Sequence, residues 1–101
     1  MSKVRAHVRV RFFGTLRIVT STRDLVVILE EENTVRDLLR RLSDKVGPRF
    51  QKVVFESKDL HILSRNMFII INGRNIMQLN GLDTRLQNGD VISIVPPITG
   101  G

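Results

Sequence analysis

Lys3-Val4-Arg5-Ala6-His7-Val8-Arg9-Val10-Arg11-Phe12 alternates without a fault. Lys3, Arg5, His7, Arg9 and Arg11 share one parity; Val4, Ala6, Val8, Val10 and Phe12 share the other. A period of two sends the two sets to opposite faces of an extended chain. The stretch predicts a half-buried strand in a sheet that is covered on one side and open to water on the other. Phe12 and Phe13 have opposite parity, so one belongs to the core. The other is left for loop packing or for contact with a partner.

Outward from this strand, Gly14-Thr15 breaks the alternation, and Leu25-Val26-Val27-Ile28-Leu29 after Asp24 reads as a second strand, giving a hairpin with a medium loop. Thr34 with Asp37 three residues on forms a capping-box pattern that uses the shorter acid. Val35, Leu38, Leu39, Leu42 and Val46 then make one apolar stripe at helical spacing, while Arg36, Arg40, Arg41 and Lys45 lie off it. Gly47-Pro48 ends this helix. Phe50, Val53 and Val54 have helix-like spacing over a run too short to exclude a strand, and Glu56 to Asn66 reads as a loop.

Met67 to Ile71 is a strongly apolar strand. Asn72-Gly73 after it is a hairpin signal, because both turn positions need positive φ, and Arg74 to Leu79 is expected to be the return strand. Asn80 to Asn88 reads as a loop with a helical turn around Leu82 and Leu86. Asn88-Gly89-Asp90 is another turn, Val91 to Val95 the last strand, and Pro96-Pro97 its end, since proline donates nothing to a ladder. The order predicts a two-layer α+β domain: a mixed sheet with one main helix on one face, and the first and last strands near the middle of the sheet.

Composition narrows the function. The 101 residues fit one domain, and the absence of Cys excludes disulfide frameworks, Cys-based zinc sites and thiol catalysis. Sixteen Lys+Arg against ten Asp+Glu give a net charge of +6, and twelve of the sixteen are Arg. Such a charge fits nucleic acid, an anionic membrane or an acidic protein partner. With no Tyr or Trp there is no evident stacking platform for nucleic acid. Apolar runs are far shorter than a membrane span, and the basic N-terminus lacks the long apolar stretch of a secretory signal, so a cytoplasmic location is expected. His7 and His61 stand apart from any cluster of ligands, which predicts no metal site.

Four stretches carry a family resemblance: Val10-Arg11-Phe12-Phe13-Gly14, Thr34-Val35-Arg36-Asp37-Leu38-Leu39, Ile71-Asn72-Gly73, and Leu86-Gln87-Asn88-Gly89-Asp90-Val91 leading to Pro96-Pro97-Ile98-Thr99-Gly100-Gly101. Together they resemble the β-grasp, ubiquitin-like sulfur carriers, most closely the small subunit of molybdopterin synthase (MoaD-like proteins). The resemblance implies a β-grasp domain over residues 1–95 and a flexible tail over 96–101. Gly101 is then the chemical site: its carboxylate would be adenylated and converted to a thiocarboxylate that supplies sulfur for molybdopterin. Pro96, Pro97, Ile98, Thr99 and Gly100 would thread into the partner.

That mode of action suits the residues present. Two glycines pass through a channel where a Cβ would clash, and two prolines limit the entropy lost on insertion. The implied partners are the large synthase subunit, an E1-like adenylating enzyme and a sulfur donor. No phosphate loop is present, so ATP would be bound by the activating enzyme and no cofactor by the chain itself. Arg5, His7, Arg9, Arg11 and Phe13 are the candidate partner surface, although a row of charges is also what a solvated sheet face looks like. A modifier joined through Gly101 to lysines, a thiamine-pathway sulfur carrier and a basic nucleic-acid-binding module are the alternative functions.

Overall fold

The computed structural model describes residues 5–30, 33–56 and 62–97. Its elements are β1 (Arg5–Phe12), α1 (Leu16–Thr20), β2 (Asp24–Glu30), α2 (Val35–Val46), α3 (Pro48–Val54), β3 (Phe68–Ile71), β4 (Arg74–Asn75) and β5 (Val91–Val95), with 3-10 turns at Ile76–Gln78 and Gly81–Asp83. The five strands form one mixed sheet in the order β2-β1-β5-β3-β4. β1 and β5 run parallel, and the other neighbours are antiparallel. This is the β-grasp, ubiquitin-like arrangement expected from the sequence.

The alternation in β1 is realised residue by residue: the odd positions are exposed and the even ones buried. Ala6, Val8, Val10 and Phe12 share the covered face with Val27 and Leu29 of β2, Ile69 and Ile71 of β3, and Ile92 and Ile94 of β5. α2 supplies Val35, Leu38, Leu39 and Leu42 to the same core. Its start is fixed by the capping box: the Asp37 N–H donates to Thr34 Oγ1 at 3.3 Å, and the Thr34 N–H donates to Asp37 Oδ2 at 2.8 Å. Backbone bonds from Val35 N–H to Thr84 C=O and from Leu86 N–H to Asn33 C=O tie that helix end to the stretch before β5.

Three local expectations change. The link between β1 and β2 contains a helix, α1, which buries Leu16. Five residues are too few to display a helical period. Residues 48–54 are helical, with Pro48 in the first turn, where its missing N–H costs nothing. Phe50 of α3 packs edge-on against Phe12, with ring centroids 6.1 Å apart and planes at 82°. The return strand stops at Asn75 instead of reaching Leu79, because Asn75 Oδ1 accepts the Met77 N–H at 2.9 Å and starts a 3-10 turn that buries Ile76. The Asn72-Gly73 hairpin forms as read, with φ of 50° and 87°. Leu86 is buried, but in an irregular segment and not in a helical turn.

Phe50 joins α3 to the first strand from a fully buried position. Phe50→Ala is expected to cost about 3–5 kcal/mol of unfolding free energy. Chemical denaturation followed by circular dichroism measures this, and a loss below about 1 kcal/mol would show that the ring is not a core contact.

Candidate functional site

The site is built from two parts, the point where the chain leaves β5 and the open face of the sheet. β5 lies between β1 and β3, so the chain departs from the middle of the sheet. The β1–β5 pairing continues one step past β1, where the Phe13 N–H donates to the Ile94 C=O at 3.2 Å. Gly14 follows with φ +57°, a conformation that L side chains rarely adopt. A Cβ at this position would stand 3.2 Å from Pro96 Cγ, so the glycine also makes room for the proline. Pro96 is buried and Pro97 half-buried. Pro96 therefore belongs to the packed body, and free chain can begin only beyond it. Ile98, Thr99, Gly100 and Gly101 lie outside the described residues, as does His61.

Around this exit, Arg17 fixes the turn after β1. Its Nε–H donates to the Phe12 C=O at 3.1 Å, and its guanidinium carbon lies 5.5 Å from the Phe13 ring centroid. Phe13 is half-buried, with one use of its ring already accounted for by this cation. At the other end of β5, Asp90 holds the two turns together. One carboxylate oxygen accepts the Asn72 Nδ2–H at 2.8 Å and the other the Gln87 N–H at 2.8 Å. Asn72 Oδ1 accepts the Val91 N–H, and Asn88 Oδ1 accepts the His7 N–H. The two Asn-Gly turns of the sequence are thus the clamp that sets the start of the last strand.

The open face carries Arg5, His7, Arg9 and Arg11 in one row on β1, all exposed. In register, His7 is beside Ile28, Arg9 lies between Val26 and Val91, and Arg11 lies between Asp24 and Ser93. Farther across, Phe68 is beside Val95 and Ile70 beside Ser93. The cationic row therefore runs through an otherwise largely apolar band. Val26, Ile28 and Phe68 are all among the exposed large apolar residues. Arg9 makes a long ion pair with Asp24, 3.5 Å with both side chains about half exposed, which contributes little. Among the described residues, no carboxylate lies within ion-pair distance of Arg5 or Arg11. Nor do any three His, Asp or Glu side chains cluster as metal ligands among them.

The structure thus brings Arg5, His7, Arg9 and Arg11 together on one surface and sets Phe13 apart, at the exit turn. Reading the sequence missed the apolar half of the face. Leu25 to Leu29 and Met67 to Ile71 are unbroken apolar runs, so parity within them is invisible. The neighbouring alternation in β1 was the available signal, because a strand paired with it must share its open face.

Comparison with known proteins places this geometry. The ThiS family model matches residues 10–101. The chain belongs to the ThiS family. A candidate sulfur carrier protein of Archaeoglobus fulgidus is 37% identical over 71 residues, covering 70% of this chain and 77% of that protein. The solution structure of small archaeal modifier protein 1 from Methanosarcina acetivorans matches with a TM-score of 0.81 at 39% identity, covering 97% of this chain and 99% of that one. A candidate molybdopterin converting factor subunit 1 from Pyrococcus furiosus matches with a TM-score of 0.72 at 26% identity, covering 92% and 99%. Among the described residues of this ThiS-family chain, no helix is long and apolar enough to cross a membrane.

Gly14→Ala tests the exit. A left-handed alanine costs about 1–2 kcal/mol, and the contact with Pro96 adds to it. In a Pro96→Ala background the contact part should vanish and the conformational part remain, which a double-mutant cycle of unfolding free energies reads directly. Additive losses would show that Gly14 and Pro96 do not touch.

Proposed function

We propose that this chain is a carrier activated at the carboxylate of Gly101, and that its main product is a C-terminal thiocarboxylate serving molybdopterin synthesis. The observation that carries the reading is the anchored exit: a buried Pro96 on Gly14 at the centre of the sheet, followed in sequence by Pro97-Ile98-Thr99-Gly100-Gly101. An adenylating partner would join the carboxylate to AMP and release pyrophosphate from its own bound ATP. A donor at the sulfide level would then attack the acyl carbon. Its sulfur takes the place of the oxygen that leaves with AMP, so no oxidant or reductant is required.

Binding would divide between the tail and the open face. The tail, from Pro97 to Gly101, would enter the partner's active site, while Arg5, His7, Arg9 and Arg11 would meet an acidic surface beside it. The row supplies charge, and the flanking Val26, Ile28 and Phe68 supply apolar area, a combination suited to a protein interface. Similarity to molybdopterin converting factor subunit 1 supports the synthase large subunit as the acceptor.

A second reading is favoured by the 39% identity to small archaeal modifier protein 1: the same acyl adenylate would be captured by a lysine of another protein. Both readings need the same activation and part at the nucleophile. Incubation with ATP, an adenylating enzyme and a sulfide donor is expected to raise the intact mass by the difference between sulfur and oxygen. Deletion of Gly100-Gly101 is expected to abolish the change and leave the melting temperature unaltered. Absence of the mass change with every adenylating enzyme encoded beside the gene would overturn the proposal. Gly101 in isopeptide linkage to cellular lysines would give the modifier reading its chemistry.

A further inference from the structure

β2 is an edge of the sheet, and its outer side is open in the middle and closed at both ends. In an antiparallel pair, alternate residues turn both backbone groups toward the partner strand. The Phe12 N–H donates to the Arg23 C=O, so stepping by two along the register makes Leu25, Val27 and Leu29 the residues bonded to β1. Asp24, Val26, Ile28 and Glu30 therefore point their N–H and C=O groups away from the sheet. Three of these outward groups are taken locally. The Thr22 hydroxyl donates to the Asp24 C=O at 2.9 Å, Asn33 Oδ1 accepts the Glu30 N–H at 3.1 Å, and the Asn33 N–H donates to the Glu30 C=O at 3.2 Å.

What remains is the N–H and C=O of Val26 and of Ile28, four groups in a row with no partner among the described residues. Nothing blunts this segment. It contains no proline, its register runs without a bulge from Glu30 to Asp24, and its outward residues are apolar, 49% and 44% exposed. Long edges of this kind pair with other strands unless they are protected.

The charges around the edge select what can pair there. Beside it lies a cavity of about 380 Å³ lined by Arg5, Ile28, Leu29, Glu30, Asn33 and Arg41. Two guanidinium groups from opposite layers, β1 and α2, flank that end of the strand. A second copy of the chain is a poor occupant. Two β2 edges pairing about a two-fold axis through Val27 would set Val26 against Ile28 and Asp24 of each chain against Glu30 of the other. Like charges directly opposite are destabilising, and two chains of +6 repel besides.

We propose that the outer edge of β2 at Val26–Ile28 accepts, as an added strand, an extended segment of a protein partner in which a few alternating apolar residues are followed by acids. The apolar residues continue the surface of Val26 and Ile28, the main chain satisfies the four open groups, and the acids lie against Arg5 and Arg41. This surface is separate from the tail and from the cationic row, so a partner here can hold the chain while its C-terminus is being used.

The test uses the full chain, isotope-labelled, with an amidated peptide of the pattern Asp-Val-Ile-Val-Ile-Glu-Glu. Amide spectra are expected to shift at residues 25–29 and at Arg41, with slowed hydrogen exchange at the Val26 and Ile28 amides. Val26→Pro removes one outward N–H and no ladder bond, so it should fold and abolish these changes. Should Val26→Pro not fold, Ile28→Lys, a charged edge residue, takes its place with the same expectation. Arg41→Glu should weaken binding roughly tenfold, and a lysine-for-acid version of the peptide should not bind. The proposal is overturned by any of four results: no shift up to about 1 mM peptide, shifts centred on Arg9 and Phe68 instead, equal binding of the lysine peptide, or dimerisation through this edge without peptide.

Discussion

The parallel pairing of β1 with β5 is the constraint from which the rest of the molecule follows. It joins the two ends of the sequence in the middle of the sheet, with Arg9 beside Val91 and Phe12 beside Ile94. Parallel neighbours need a long crossover, and everything between residues 13 and 90 serves as that connection. The core is formed beneath it, with α2 covering the even residues of β1. Because the pairing is parallel, the end of β5 arrives beside the end of β1, and the turn at Gly14 becomes the seat of Pro96. The exit of the tail is therefore set by the most buried pair of strands and not by a surface loop. An activated C-terminus gains from this, since a fixed point of departure lowers the entropy lost when the last residues enter a partner.

The other end of β5 shows how such a pairing is held in register. Parallel ladders resist slippage only where something marks the start of the strand. Asp90 marks it with both carboxylate oxygens, one on the Asn72 side chain and one on the Gln87 amide, while Asn72 returns a bond to the Val91 amide. The asparagines at 72 and 88 thus do two jobs each. Asn72 shapes a turn at positive φ and caps a neighbouring strand; Asn88 belongs to its own turn and caps His7 of β1. A sequence signature of turn residues is here a hydrogen-bonded clamp across three strands.

Much of the fold was legible in the sequence, because the decisive signals are periodic or local. The alternation of Lys3 to Phe12, the stripe of α2 with its Thr34–Asp37 box and the Asn72-Gly73 turn each depend on neighbours in sequence. What escaped depends on neighbours in space or on runs too short to carry a period. α1 and α3 have five and seven residues. β4 ends early because the Asn75 side chain captures a backbone N–H. The same division holds at the candidate site. The cations of β1 were plain, whereas Val26, Ile28 and Phe68 sit in runs of unbroken apolar residues that give no sign of which members face out. The role of Gly14 needed Pro96, eighty-two positions away in sequence, to be seen beside it.

The excess of arginine becomes intelligible on this sheet. β1 is an interior strand, so each outward residue has neighbours on both sides, and for Arg9 those neighbours are Val26 and Val91. A long side chain in that position can lay its methylene stem along apolar surface and carry only its head into water. Arginine suits this better than lysine, because its planar head is weakly hydrated and meets carboxylates through two parallel hydrogen bonds. A face meant only for solubility would gain nothing from that geometry, and would gain more from acids than from bases. An open sheet face with unpaired Arg5 and Arg11 set among Val26, Ile28 and Phe68 has the composition of an interface that is exposed part of the time, and the charge that looked like a nucleic-acid signal in the sequence is spent on shaping it.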